Sequence, residues 1–440
     1  MTHRSNRLVR AILAVALAGT AAAAQAQTEI QWWHSMGGAL GDKVNELANK
    51  FNASQKDYKV VPTYKGSYPE SMTAAIAAFR AGNAPHILQV FEVGTATMMA
   101  AKGAIVPVAK VMADAKEPFN PKAYLPTVAG YYTDLKGNML SFPFNSSTVM
   151  FYINRDAFRK ARLDPDNPPK TWKELQAAAL QLKVRGQDCV YTSGWPSWMH
   201  IENFSAWHNV PMGTKENGMG GFDTRFVFNS PLHVRHLTML GDMAKKGLFT
   251  YAGRTNQAEA KFASGECAML TSSAGAQATI RRTAKFDWSM NFIPYHDDVK
   301  GAPQNSIIGG ASLWVMGGKK AEEYKGVAKF FTFLSDTNRQ ARLHQESGYL
   351  PITKAAYEKS IKDGFYEKNP TLQTPLKELT NKEPTENSRG LRFGNMVQMR
   401  DVWAEEIEAA LDGKKSPKEA LDTAVSRGNA MLRTFEKTAK

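Results

Sequence analysis

The sequence predicts an α/β protein built as two lobes. Apolar runs of strand length alternate with amphipathic runs of helical period from near the N-terminus. The first of these follow a βαβαβ rhythm, which argues for a mostly parallel sheet covered by helices on both faces. At 440 residues the chain exceeds what one core can hold, and no Pro- or Ser-rich linker divides it. Two lobes joined by several crossing segments fit better than separate beads on a string.

Residues 1–26 precede this pattern and read as an export signal. Arg4, Arg7 and Arg10 form a positive n-region, and Ala11 to Ala24 is an apolar stretch too short to span a bilayer comfortably. Ala24-Gln25-Ala26 places small residues at the two positions a signal peptidase reads, so cleavage is expected between Ala26 and Gln27. No Cys follows the cut, which argues against a lipid anchor. No later apolar run reaches 18 residues, so the exported chain is expected to be soluble.

Glu29-Ile30-Gln31-Trp32-Trp33 reads as the first strand. The helix after it carries Leu40, Val44, Leu47 and Phe51 at spacings of four, three and four, one buried face. Tyr58 to Tyr64 returns as a strand. The next helix sets Met72, Ile76 and Phe79 on one side and stops at Gly82, with Pro85 beyond. Ile87 to Phe91 is a compact buried strand. Thr171-Trp172-Lys173-Glu174 is a capping box for a helix ending near Gly186. Ser230-Pro231 offers an N-cap and an N1 proline for a helix closing at Gly247. Strand-like runs follow at Cys267 to Thr271, Trp288 to Pro294 and Ala311 to Met316. The helix after the last carries Tyr324, Val327, Phe330, Phe331 and Leu334. From Pro351 onward the chain looks almost wholly helical.

The net charge of +14 falls to +11 once the three leader arginines are removed. Such an excess favours anionic partners. The basic residues are scattered among acids, without an arginine-rich arm or basic stripe, so a small anionic ligand is the more economical reading than nucleic acid. Cys189 and Cys267 are the two cysteines. Export permits a disulfide between them, and two buried thiols are the equal alternative.

Catalytic signatures are mostly missing. There is no P-loop, no strand-linked dinucleotide fingerprint, and no H-E-x-x-H, G-x-S-x-G or S-x-x-K motif. His233 and His236 are spaced to share a metal on a helix, but a partly exposed helix face explains them better. His34 reads as a strand-end polar residue. The loops are more suggestive. Trp195-Pro196-Ser197-Trp198 and Thr171-Trp172 place aromatics near turns. Asn145-Ser146-Ser147-Thr148 and Thr271-Ser272-Ser273 place hydroxyls at strand ends. Such loops suit a ligand in the crevice beyond an α/β sheet.

At this point the chain resembles the extracellular solute-binding proteins of ABC importers, in their maltose-binding-protein-like branch. Within it, the likeness is to the members that take sn-glycerol-3-phosphate. It rests on Trp33-His34-Ser35-Met36, Pro62-Thr63-Tyr64-Lys65-Gly66, the run 88–99 and Pro143 to Thr148. It continues in the runs 202–207 and 307–314, Gly348-Tyr349-Leu350-Pro351, Gly390-Leu391-Arg392 and Gly394-Asn395-Met396. Phe151-Tyr152-Ile153-Asn154 departs from the branch's usual Tyr-Asn pair by Ile153.

The resemblance implies a two-lobed periplasmic-binding-protein fold with a central ligand cleft and crossing hinge segments. It implies lobes of residues 27–143 with 308–350, and 144–307 with 351–440. The implied ligand set is Tyr68, Glu92, Ser147, Ser273, Gly310, Tyr349 and Arg400, with Ser272 as the neighbouring register for Ser273 and Trp172 as a further wall. The Arg400 fork, the hydroxyls and a backbone N–H complement a phosphate ester, and glycine at 310 permits close backbone approach. Glu92 is expected to accept from glycerol hydroxyls, or beside aromatics to favour a choline cation. The resemblance further implies a periplasmic monomer without cofactor, metal or enzymatic activity. Its partners are a permease of two transmembrane subunits and two cytoplasmic ATP-binding subunits. Two other readings compete: the same fold tuned to a neutral oligosaccharide, and a secreted phosphodiester hydrolase.

Overall fold

A computed structural model of the protein describes residues 27–134 and 136–439. The export-signal reading of residues 1–26 lies outside them. The strands, in chain order, are β1 (Thr28–His34), β2 (Tyr58–Tyr64), β3 (Ile87–Phe91), β4 (Ile105–Val106), β5 (Phe142–Ser147) and β6 (Val149–Asn154). They continue with β7 (Cys189–Ser193), β8 (Thr250–Tyr251), β9 (Cys267–Ser273), β10 (Trp288–Asn291) and β11 (Gly309–Met316). One sheet runs β2-β1-β3-β11-β4, with β5 also paired to β11, and the other runs β10-β6-β9-β7-β8.

The expectation of a mostly parallel sheet is corrected. β1 is parallel to β2 and β3, but β11 runs antiparallel to β3, β4 and β5. In the second sheet β7 is parallel to β8 and β9, while β6 is antiparallel to β9 and β10. The reason is the crossings. β11 enters the first sheet from the second and must run back from the shared edge. β6 leaves that edge in the opposite sense to β9. The C-terminal ends of β1, β3, β5, β7 and β9 therefore converge on one crevice, the usual seat of ligands in α/β sheets.

The chain crosses between the sheets three times. Thr148 alone separates β5 from β6. The run into β11 is the second crossing, and its Ser306 hydroxyl lies 2.5 Å from that of Thr148. Past Leu350, whose N–H donates to the Ser146 carbonyl at 2.8 Å, the chain stays beside the first sheet, with Ile352 accepting from Leu125 and Tyr366 bonded to His344. The third crossing comes only where Pro370–Gln373 meets β10.

Most helices follow their apolar stripes. Gly38–Ser54 buries Val44, Leu47 and Phe51. Tyr68–Arg80 buries Ser71, Met72 and Ala75, and Phe79 is exposed because the inward stripe passes through Ala75. The capping box closes as read: the Glu174 N–H donates to the Thr171 hydroxyl, and the Thr171 N–H to the Glu174 carboxylate. The C-terminal part is less helical than expected. Residues 380–395 are irregular between Thr374–Leu379 and Met396–Leu411. Polar side chains hold that stretch instead, with Asn217 and Asn305 donating to the carbonyls of Asn387 and Ser388. Arg392 within it donates to the carbonyls of Gly130, Tyr131 and Thr133.

Cys189 and Cys267 are direct partners on parallel β7 and β9 and form a disulfide. His233 and His236 are buried, not on a partly exposed face. His236 lies 3.0 Å from His200 and stacks on Phe204, in a second-lobe core that also holds His208 and His296.

Candidate ligand-binding site

A cavity of about 120 Å³ lies between the two sheets, where their strand ends meet. Tyr68, Glu92, Ser147, Ser273, Gly310, Tyr349 and Arg400 all line it. They come from seven separate elements or turns, so the fold alone brings them together.

Tyr68 opens the helix Tyr68–Arg80, and its ring stacks on Phe91 at 4.9 Å. Glu92 starts the turn after β3. Ser147 ends β5 and Ser273 ends β9, and their hydroxyls lie 2.6 Å apart across the crevice. Ser273 also accepts from the Gly275 N–H at 3.0 Å, which fixes its rotamer. Ser272 points elsewhere and donates to Glu259. Gly310 is at φ +97°, and a Cβ there would meet the Asn145 carbonyl oxygen at 2.2 Å, so only glycine fits. Tyr349 follows left-handed Gly348, and its ring lies so close to Gly275 that a Cβ there would meet it at 2.8 Å.

Arg400 projects from the helix Met396–Leu411 and is the one Lys or Arg among the lining residues. Its Nε and Nη2 donate to the two oxygens of Glu202 at 2.7 Å each, and Nη2 also donates to Glu92 at 2.8 Å. The guanidinium fork expected for a ligand is thus already filled by a carboxylate. Burial, aided by the Glu202 charge, raises the Glu92 pKa against the pull of Arg400. Desolvation opposes the Arg400 charge, and the two carboxylates outweigh it and hold the guanidinium protonated.

Trp172 is not a wall of this cavity. It lies fully buried in the second-lobe core against Tyr191, His200 and His236, because the N1 position of its helix turns the indole inward. Trp198, expected near the cleft, does line the cavity, and so does Trp195 of the same turn. Their position just beyond β7 was the available signal. Phe91, Glu202 and Glu259 carry no local sequence signal, because each acts through a partner far away in the chain. His34 is buried beneath the crevice, accepts from the Met36 N–H, and is pushed by burial to a pKa of about 4.

Comparison with known proteins gives a consistent picture. Residues 46–374 match the family model of the bacterial extracellular solute-binding proteins. The chain is 54% identical to the sn-glycerol-3-phosphate-binding periplasmic protein UgpB of Pectobacterium atrosepticum, over 100% of this chain and 99% of that protein. It is 54% identical to the protein of the same name from Escherichia coli K12, over 97% of each. Among solved structures, UgpB from Mycobacterium tuberculosis with glycerophosphocholine matches at TM-score 0.76 and 20% identity, over 93% of this chain and 99% of that one. Maltose-bound MalE3 of T. maritima matches at TM-score 0.75 and 17% identity, over 93% of this chain and 100% of that one. The likeness to these two structures is one of fold.

Proposed function

The chain belongs to the bacterial extracellular solute-binding proteins, and from that premise we propose that it captures sn-glycerol-3-phosphate for import by an ABC transporter. The observation that carries this reading is the convergence of Arg400, two strand-end serines, Gly310 and two tyrosines on one small cavity. The hydroxyls of Ser147 and Ser273 and the backbone at Gly310 seat the phosphate oxygens. Arg400 supplies the positive charge, with Nη1 as its remaining donor, since Nε and Nη2 hold carboxylates. Glu92 accepts from the glycerol hydroxyls.

We infer lobes of residues 27–143 with 308–369, and 144–307 with 370–440, since the third crossing comes later than Leu350. The mature protein acts in the periplasm as a monomer, after cleavage between Ala26 and Gln27. It delivers its ligand to a permease of two transmembrane and two ATP-binding subunits, and captures without chemical conversion.

Calorimetric titration against glycerol-3-phosphate, glycerol and maltose tests the ligand class. Tight binding of the phosphate ester alone is expected, and equal binding of maltose contradicts it. The oligosaccharide reading is disfavoured by the lining, since Arg400 and the strand-end serines suit an anionic ester and a neutral sugar needs no such charge. Incubation with glycerophosphocholine and an assay for free choline separates capture from hydrolysis.

A further inference from the structure

A second pocket, of about 600 Å³, lies in the second lobe beside the edge strand β10. It shares no lining residue with the cavity between the lobes. Trp207 and Phe292 form its inner corner, their rings nearly perpendicular at 5.9 Å between centroids, with Met290 and Ile293 beside them. The Trp207 indole N–H donates to the Ile293 carbonyl at 3.1 Å, so the ring offers the pocket carbon alone. Pro168, Pro169, Pro303 and Pro370 add to the walls, and proline has no backbone N–H to donate. Walls of this kind favour a ligand with an apolar body, which gains by leaving water there.

The charge at this pocket has one sign. Lys170 is the one Lys or Arg of the lining, and no Asp or Glu belongs to it. The Lys170 N–H donates to the Glu174 carboxylate at 2.7 Å, and its carbonyl accepts from the Tyr295 N–H at 3.2 Å, so the base of its side chain is fixed. Thr371 and Thr374 bring hydroxyls to the same lining. A lone cation beside low-dielectric walls attracts an anionic head. Head and walls together describe an amphipathic anion: a hydrocarbon body ending in one negative group.

Two walls of the pocket lead into the crossings between the lobes. Pro303 precedes Gln304, whose N–H donates to the Trp207 carbonyl at 2.8 Å, and then Ser306, whose hydroxyl meets that of Thr148. Pro370–Gln373 is the third crossing, and the helix Thr374–Leu379 follows it. Glu378 of that helix accepts from the Ile293 N–H at 2.8 Å. The pocket is open in an arrangement where the lobes touch at Ser147 and Ser273. An occupant therefore sits among the segments that set how the lobes stand to one another.

We propose that this pocket is an effector site for an amphipathic anion of the medium-chain carboxylate class. Its occupancy holds the crossings in the arrangement described and so tightens the cleft on its solute. The effect on the cleft rests on the capture of glycerol-3-phosphate proposed above, and the pocket itself does not.

The test is calorimetric titration of the mature protein with hexanoate, octanoate and decanoate below their micelle concentrations. Octylammonium serves as the same body with the opposite charge. One site is expected, with affinity rising about threefold per added methylene. Octylammonium should bind about fivefold or more weaker than octanoate, and Lys170→Gln should weaken decanoate by about threefold to fivefold. Thr371→Trp, which puts an indole into the pocket, should abolish the binding; both positions are exposed, so the variants keep the fold. Saturating decanoate should tighten glycerol-3-phosphate by about fivefold in the wild type and not in Thr371→Trp. Absence of one-to-one carboxylate binding, equal binding of octylammonium, or an unchanged affinity for glycerol-3-phosphate overturns the proposal. A wild type that does not bind glycerol-3-phosphate at all contradicts the reading of the cleft instead. The radius of gyration then decides: saturating decanoate alone should reduce it, and an identical curve overturns the effector role.

Discussion

Arg400 grips Glu202 through Nε and Nη2, both at 2.7 Å, across 198 residues of chain. The same Nη2 reaches Glu92, so one guanidinium neutralises a carboxylate from each side of the crevice. Among the described residues neither acid forms an ion pair with another cation.

Arg400→Ala should therefore do two kinds of damage. It strands two buried acids, which is expected to cost about 3–5 kcal/mol of stability. It also removes the cavity's cation, and the affinity for glycerol-3-phosphate should fall roughly 30-fold or more. Arg400→Lys should recover only part of each, because a single ammonium cannot serve both acids in this geometry. Urea unfolding and calorimetry check the pair of effects. An affinity near that of the wild type would place the ligand's charge partner elsewhere.

Gly310→Ala forces a Cβ against the Asn145 carbonyl at an unfavourable positive φ. The start of β11 must then move away from Ser146 and Ser147, its register partners. A loss of about 2 kcal/mol or more is expected, together with weakened binding. A thermal midpoint and an affinity equal to those of the wild type would contradict this.

Ligand closure should be visible by scattering. The Ser147 and Ser273 hydroxyls belong to different sheets yet touch, and Tyr68 faces Trp195 across the same gap. The site is complete only with the lobes together, so saturating glycerol-3-phosphate should reduce the radius of gyration. Identical curves with and without ligand would remove the closure mechanism. Trp195 and Trp198 should carry the accompanying fluorescence change. Trp172→Phe should leave it intact, since that indole lies in the second-lobe core.

Acid should destabilise the protein early. Burial lowers His200, His208 and His233 to about 3, His296 to about 4, and His236 well below the usual imidazole range. These rings stay neutral when folded, whereas the unfolded chain takes up protons below about 6.5. Their contribution is complete above that pH and is lost as pH falls toward 3–4. Glu92 and Glu259, raised by burial to about 7, act in the opposite sense and gain stability as pH falls from there, and Glu378, raised by burial well above the usual carboxylate range, acts in the same direction. The histidines outnumber them, so urea midpoints should decline between pH 6.5 and 5. A flat or rising profile would contradict that balance.

Removing the Cys189–Cys267 bridge should cost about 4 kcal/mol, as expected for a closed loop of this length. The two positions lie 78 residues apart in sequence. A double alanine variant with unchanged urea stability would show that strand pairing alone holds β7 to β9.

The local pattern in the sequence was enough for β1, β2, β3 and the helices that pack on them, because apolar periodicity reports burial directly. It was not enough for strand direction. Whether β11 runs with or against β3 depends on where the chain comes from, and no run of side chains encodes that. The site divides in the same way. Ser147, Ser273, Gly310 and Tyr349 stand in distinctive strand-end or turn motifs. Glu202 is an isolated acid whose role exists only because residue 400 arrives beside it. Trp172 was misplaced because an aromatic next to a cap resembles a cleft wall, while the helix start aims it at the core. The irregular stretch 380–395 was missed because asparagine and serine hydrogen bonds from distant loops hold it, and these leave no periodic trace.

Thr148 is the sole residue between β5 and β6, and its hydroxyl is tied to Ser306 on the neighbouring crossing. A joint that short and doubly pinned resists sliding and favours rotation. Under the closure predicted above, occupancy would be converted into a single angle. A receptor touching both lobes would read that angle without sensing which solute produced it. Recognition and reporting are thus separable traits: residues in the crevice are free to drift toward new solutes while the signal sent onward keeps its form.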